Sequence, residues 1–173
     1  AELETVGYQF RSNSDSEVVL CALTHWGTGA LLKFNGMFAL ALWDRQEKTL
    51  LLARDRYGIK PLYYARQILT FAFGSEQKAI TAQPGFQKTL NKPALLEYFT
   101  FQNIFTDQTL LQGVHLLPAG HFALLGGVDG RFQKFCYWDY RFREPDTQAS
   151  KQEYLEELDR SEERRVGKEC RSR

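Results

Sequence analysis

Cysteine, histidine and long apolar runs are all scarce in this 173-residue chain, and each scarcity closes off a class of function. The three cysteines, Cys21, Cys136 and Cys170, are odd in number and form no CxxC or Cys/His spacing. Neither a disulfide framework nor a zinc site is predicted. His25, His115 and His121 are equally scattered, so no metal constellation emerges. No apolar run approaches the ~20 residues that span a bilayer, and AELETVGYQF lacks the basic-then-apolar order of a signal peptide. A cytoplasmic location is the default expectation. The net charge of +1 offers no electrostatic case for nucleic acid or an anionic membrane.

Even that single charge comes from the end of the chain. Residues 161–173, SEERRVGKECRSR, hold eight charged residues, and the rest of the chain carries 17 basic against 18 acidic side chains. Val166, the one aliphatic residue there, has no periodic partner, so composition predicts a disordered tail. The segment also resembles translated cloning-vector sequence and is set aside from fold reasoning.

What remains is rich in core material: 43% of the chain is hydrophobic and 14% aromatic, enough for one domain with a sizeable interior. The most informative stretch is NGMFALALWD (Asn35–Asp44) followed by LLARDRYGIKPLYYA (Leu51–Ala65). Phe38–Trp43 and Leu50–Ala53 read as strands, and the polar residues 44–48 between them are short enough to close a hairpin. After the second strand, charges at Arg54, Asp55 and Arg56 meet Gly58 and Pro61, the signature of a tightly specified turn. Arg54 and Asp55 are read as structural, because charges beside a turn usually pair internally or face water.

Elsewhere, Thr5–Phe10 reads as a strand. Ser14 and Glu17 form an S-x-x-E capping box ahead of a helix that ends near Trp26, where Gly27 and Gly29 interrupt it. A short helical segment is predicted over Ala30–Phe34. Leu62–Ala65 and Leu69–Phe73 read as strands, and Ser75–Thr81 as a short helix capped by Ser75. Lys92–Phe99 reads as a helix with Pro93 in its first turn and Leu95, Leu96, Tyr98 and Phe99 on the buried side. Phe122–Leu125 and Phe132–Tyr137 flank GGVDG, a hairpin connection. Strands clustered in hairpins with helices before and after predict an α+β layered architecture.

Six blocks in order, SDSEVVL (Ser14–Leu20), NGMFALALWD, LLARDRYGIKPLYYA, FAFGSEQKAI (Phe71–Ile80), LLPAGHFALL (Leu116–Leu125) and CYWDYRF (Cys136–Phe142), closely resemble the glutaminase domain of glutamine-hydrolysing asparagine synthetases. The resemblance covers nearly all of residues 5–158. It implies an N-terminal-nucleophile-type four-layer sandwich of two antiparallel sheets between helices, here expected to miss its leading strands. It divides the chain into a partial amidotransferase domain over 1–142, a linker and start of the synthetase domain over 143–160, and the non-family tail over 161–173.

In that family an N-terminal cysteine attacks the glutamine side-chain amide, a thioester forms with release of ammonia, and water then frees glutamate. The ammonia passes to a synthetase domain, where ATP, with Mg, activates aspartate. Against this template the chain starts at Ala1 without the cysteine and without the upstream NGE motif that serves the oxyanion. Asn35-Gly36 belongs to a different block. No catalytic residue, metal or cofactor is therefore assigned to this segment, and it is expected to be inactive alone.

The resemblance does carry one substrate contact over, namely Asp15 as acceptor for the α-amino group of glutamine. Asp15 also favours a helix N-terminus through the macrodipole, and the two roles are compatible. Cys21 and Cys136 are read as small buried residues, and His121 has no serine or thiol partner at a recognisable spacing. Tyr98, Phe99, Phe101 and Phe105 are read as core or domain-interface material. Two expectations stay open: a fragment of an amide-forming ligase, or a non-catalytic glutamine-binding or interaction module of the same fold.

Overall fold

The computed structural model describes residues 2–67, 70–126, 130–142 and 150–169, with side chains of the last stretch described through Arg160. The chain divides into two compact units, Ala1–Asp139 and Tyr140–Arg173.

In the first unit, helix α2 (Asp15–Trp26) follows a short α1 (Glu2–Thr5) and runs into a 3₁₀ segment, Gly27–Leu32. Ser14 caps α2 by accepting from the Ser16 N–H at 3.3 Å. The predicted capping box is only half made. Glu17 reaches past Ser14 and accepts from the N–H groups of Arg11 and Ser12 at 3.0 and 2.9 Å and from the Ser12 hydroxyl at 2.6 Å. These donors hold its carboxyl below the usual range. The strand predicted over Thr5–Phe10 is absent, because the end of α1 closes with Tyr8 N–H on Leu3 O and Gly7 N–H on Glu4 O, both 3.0 Å. This Schellman-type closure satisfies the orphan carbonyls that a strand would have needed for pairing.

Strands β1 (Ala39–Asp44) and β2 (Thr49–Arg54) form the expected hairpin, in register from Ala39↔Arg54 to Asp44↔Thr49. Asp44 shapes the turn by accepting from the N–H groups of Gln46 and Glu47 at 2.8 and 3.0 Å. β3 (Tyr63–Arg66) pairs with β4 (Phe71–Gly74) and with β5 (Val114–Leu116). β6 (His121–Gly126) lies on β2, and β7 (Arg131–Cys136) on β6. Two antiparallel sheets result, ordered β1-β2-β6-β7 and β4-β3-β5. Leu69 and residues 127–129 of the GGVDG connection, both covered by sequence expectations, lie outside the described residues.

Strand periodicity of two assigns the layers. Leu51 and Ala53 of β2, with Leu40, Leu42, Phe122 and Leu124, pack against Leu23 of α2 and Leu31 of the 3₁₀ segment. The alternate residues Leu50, Leu52 and Ala123 face Tyr64 of the second sheet and Leu62 and Leu117, which flank its strands β3 and β5. That sheet's other face, through Ala65 and Val114, meets Ile80 of α3 (Gln77–Thr81). Helix, sheet, sheet, helix is the four-layer order, and Lys134 of β7 adds an ion pair across it to Asp107. α3 begins one residue after the N-cap Glu76, with no side-chain cap bond, so Ser75 is not the cap.

Helix α4 (Lys92–Phe101) is capped by Asn91, which accepts from Ala94 N–H at 3.3 Å, and carries Pro93 in its first turn. Its apolar face is not buried as predicted. Ala94 is the buried residue, whereas Leu96 is 68% and Phe99 73% exposed, and Tyr98, Phe101 and Phe105 are also exposed. Periodicity assigns residues to a common face but says nothing of what covers it.

In the second unit, α5 spans Lys151–Glu169. It opens on a full capping box: Ser150 N–H donates to Glu153 Oε2 at 2.6 Å, and Glu153 N–H donates to Ser150 Oγ at 3.3 Å. The helix continues through 161–169, where composition predicted a disordered tail. Glu, Arg and Lys are good helix formers, so a nucleated helix propagates through them without an apolar partner. Residues 143–149 of the predicted linker, and 170–173, lie outside the described residues.

The layering makes a direct comparison available. Leu52→Ala, at a fully buried position between the sheets, is expected to cost about 2–5 kcal/mol in urea unfolding. Leu96→Ala on exposed α4 should stay within about 0.5 kcal/mol. Equal costs would contradict the assigned layers.

Candidate functional site

The turn after β2 is built on two buried residues of opposite charge. Asp55 is 1% exposed and accepts four backbone N–H bonds, from Tyr57 (3.2 Å), Ile59 (3.0 Å), Lys60 (3.0 Å) and Phe38 (3.3 Å). Burial alone would raise its carboxyl pKa; the four donors outweigh it and hold the group below the usual carboxylate range. Arg54, also buried, donates to the carbonyls of Lys60 (2.8 Å), Leu117 (2.7 Å) and Gly58 (2.5 Å). Burial lowers its pKa and Asp55 opposes that shift, while an arginine remains charged regardless.

Two motif glycines have steric reasons. Gly58 sits at φ 64°, and a Cβ there would lie 3.0 Å from Arg54 Cζ and from Ala119 Cβ. Gly120, also at φ 64°, leaves room for the Trp138 carbonyl, with which any Cβ would collide. Its carbonyl accepts from the N–H groups of Tyr137 and Trp138. The Tyr137 hydroxyl donates to Arg54 O at 2.8 Å, and burial pushes its pKa up to about 12.

This hub holds one wall of a cleft. Asp55 N–H donates to Phe38 O at 2.9 Å, so Asp55 grips both backbone groups of Phe38. Phe38 closes a segment whose residues Lys33, Phe34, Asn35, Gly36 and Met37 line a cleft of about 340 Å³. The opposite wall is the first turns of α2, with Asp15, Val18 and Val19. Asp15 is exposed, and its carboxylate makes no hydrogen bond or ion pair among the described residues. Lys33 also lines an adjoining cleft of about 550 Å³ with Leu3, Phe10 and Trp26. Its ammonium pairs with Glu2 at 2.7 Å and lies 4.7 Å from the Trp26 ring centre. An unpaired carboxylate across from a wall that carries Lys33 and Asn35 beside Phe34 and Met37 suits a small cation attached to a polar chain.

The sequence assigns Lys33 and Phe34 to a helical segment and Met37 to the hairpin block, not to a site; the 3₁₀ segment ends at Leu32, which leaves all three in the connection to β1. Asn35-Gly36 is brought to the same cleft as Asp15. Cys21, expected to be buried, is half-buried against the helix-side core. Cys136, expected to be buried, is exposed at the end of edge strand β7, with its thiol on Trp138 O at 3.3 Å. His121, its cross-strand neighbour in the register, holds Ala119 O at 2.8 Å through Nδ1. No group of three or more His, Cys, Asp or Glu able to hold a metal occurs among the described residues.

A family model described as a glutamine amidotransferase domain matches residues 1–138. The chain is 36% identical over 139 residues to asparagine synthetase (glutamine-hydrolyzing) 3 of Bacillus subtilis strain 168, covering 80% of this chain and 22% of that protein. To asparagine synthetase (glutamine-hydrolyzing) 1 of the same organism it is 35% identical over 152 residues, covering 87% and 23% respectively. Amidase chyE of Penicillium rubens is 32% identical over 139 residues, with 78% of this chain and 19% of that protein covered. Among solved structures, glutamine phosphoribosylpyrophosphate amidotransferase from B. subtilis, complexed with ADP and GMP, matches with a TM-score of 0.52 at 16% identity, over 79% of this chain and 25% of that one. This last likeness supports the fold. The chain spans a quarter or less of the length of each of these relatives.

The hub predicts an acid-side stability loss. Because the Asp55 pKa is lowered on folding, its contribution is present above about pH 4, the unfolded carboxylate value, and fades as pH falls from there toward the lowered pKa. Asp55→Asn should flatten that part of the stability curve, and Asp55→Ala should cost about 3–5 kcal/mol by leaving Arg54 and four N–H groups uncompensated. Urea titrations between pH 2 and 7 read both.

Proposed function

The chain belongs to the glutamine amidotransferase domain family, and on that premise we propose that it is the glutamine-binding portion of an asparagine synthetase. The parent enzyme hydrolyses glutamine and water to glutamate and ammonia, then uses the ammonia with ATP to amidate aspartate. The observation that carries the reading is the cleft: Asp15 stands at the start of α2 with no hydrogen-bond partner for its carboxylate among the described residues, opposite a wall held by the Arg54–Asp55 hub. Its carboxylate takes the α-ammonium group of glutamine through a charge-assisted bond. The N-terminal end of α2 is the unfavourable place for that cation, so Asp15 also neutralises the local dipole.

No thiol lines this cleft among the described residues, so the role proposed for this segment is to bind and orient the amino acid. ATP and Mg belong, in the same proposal, to a synthetase portion of the parent protein, as does a cytoplasmic location, where ATP and aspartate are available. A second reading, an amidotransferase of the same family with another acceptor, is favoured by the similarity to Amidase chyE.

A charge-assisted hydrogen bond contributes about 1.5–3 kcal/mol, which corresponds to roughly 10- to 100-fold in affinity. Asp15→Asn should therefore weaken glutamine binding, measured by calorimetric or NMR titration, by at least about tenfold, with a stability loss of no more than the ~1 kcal/mol that the helix-dipole charge contributes. Glutamine binding indifferent to Asp15→Asn would sink the proposal.

A further inference from the structure

Consecutive residues of the turn hold opposite ends of the cleft wall. Asp55 fixes Phe38 through two backbone bonds, Asp55 N–H to Phe38 O at 2.9 Å and Phe38 N–H to Asp55 Oδ2 at 3.3 Å. Arg56 fixes the other end: its Nη2 donates to Leu32 O at 2.6 Å, the carbonyl just before Lys33. Between these anchors, residues 34–37 make no backbone hydrogen bond among the described residues. Phe34 and Phe38 meet edge to face at 5.6 Å and pack on the helix-side core, whereas Gly36 and Met37 between them are exposed. The placement of Asn35, Gly36 and Met37 relative to Asp15 therefore depends on the two ends. Arg56 Nε is buried without a hydrogen-bond partner among the described residues, and the anchor to Leu32 O is made by Nη2.

We propose that Arg56 is a positioning residue of the Asp15 cleft: by holding Leu32 it sets the distance between the wall and Asp15, and so the affinity for an α-amino acid amide. This rests on the glutamine reading of Asp15. The function needs one donor to Leu32 O. A lysine supplies one and removes the orphaned Nε, so Arg56→Lys should retain the effect where Arg56→Ala loses it.

The test compares Arg56→Ala, Arg56→Lys and Asp15→Asn in the same chain by glutamine titration, Tm and amide hydrogen exchange. Arg56→Ala is expected to weaken glutamine binding about tenfold, to speed exchange of the Lys33 amide, which donates to Ala30 O at 2.9 Å beside the Arg56 anchor, and to spare the amides of β2. Arg56→Lys should recover both readouts. If Arg56→Ala does not fold, Arg56→Met, which keeps the aliphatic stem, replaces it. Unchanged exchange of the Lys33 amide overturns the proposal, as does unchanged affinity in Arg56→Ala when Asp15→Asn weakens binding. A wall that loosens in Arg56→Ala while Asp15→Asn leaves binding intact supports the anchoring role and overturns the glutamine reading instead.

Discussion

Arg54 and Asp55 are buried side by side, yet each spends its hydrogen bonds on backbone and none on the other. A buried charge is tolerable only when its lone pairs or protons are nearly all satisfied. That requirement dictates where several segments must lie: residues 57–60 wrap the carboxylate, Leu117 brings the end of the second sheet to the guanidinium, and Phe38 brings the start of the first hairpin. Gly58 and Gly120 are glycines because the backbone has to approach this pair and its flanking strand closely. One turn thus joins both sheets and the cleft wall.

The core follows from simpler rules. β2 is buried on both faces, so its apolar residues run without interruption, Leu50 and Leu52 toward one layer and Leu51 and Ala53 toward the other. Edge strand β7 is mostly exposed and far more polar. A strand hydrophobic throughout marks the centre of a layered fold, and here it is also the strand that delivers Arg54 and Asp55 to their position.

Much of this was legible beforehand. The β1–β2 hairpin, α2 with its end at Gly27, and the structural character of Arg54–Asp55 all rest on local pattern and turn chemistry, which act within a few residues. The misreadings share one cause. Thr5–Phe10 has strand-like composition but is committed by the closure of α1; Glu17 has nearer and better donors at Arg11 and Ser12 than the cap; the apolar side of α4 is real but uncovered. In each case the deciding partner is one that composition does not name.

Sequence alone determined the β1–β2 and β6–β7 hairpins, the helices α2 and α4, the α+β class and the family, because six ordered motifs encode backbone geometry that few other arrangements satisfy; α1, β5 and α5 were not among its readings. It also marked Asp15, through resemblance. Only the tertiary structure decided that Asp15 faces Lys33–Phe38 across a cleft, that Asp55 and Arg56 hold the two ends of that wall, and that Cys136 lies exposed on an edge. The cleft and its two anchors depend on contacts between residues 17 to 24 positions apart, and such closures are settled by packing and by the satisfaction of buried polar groups, not by any local preference of the chain.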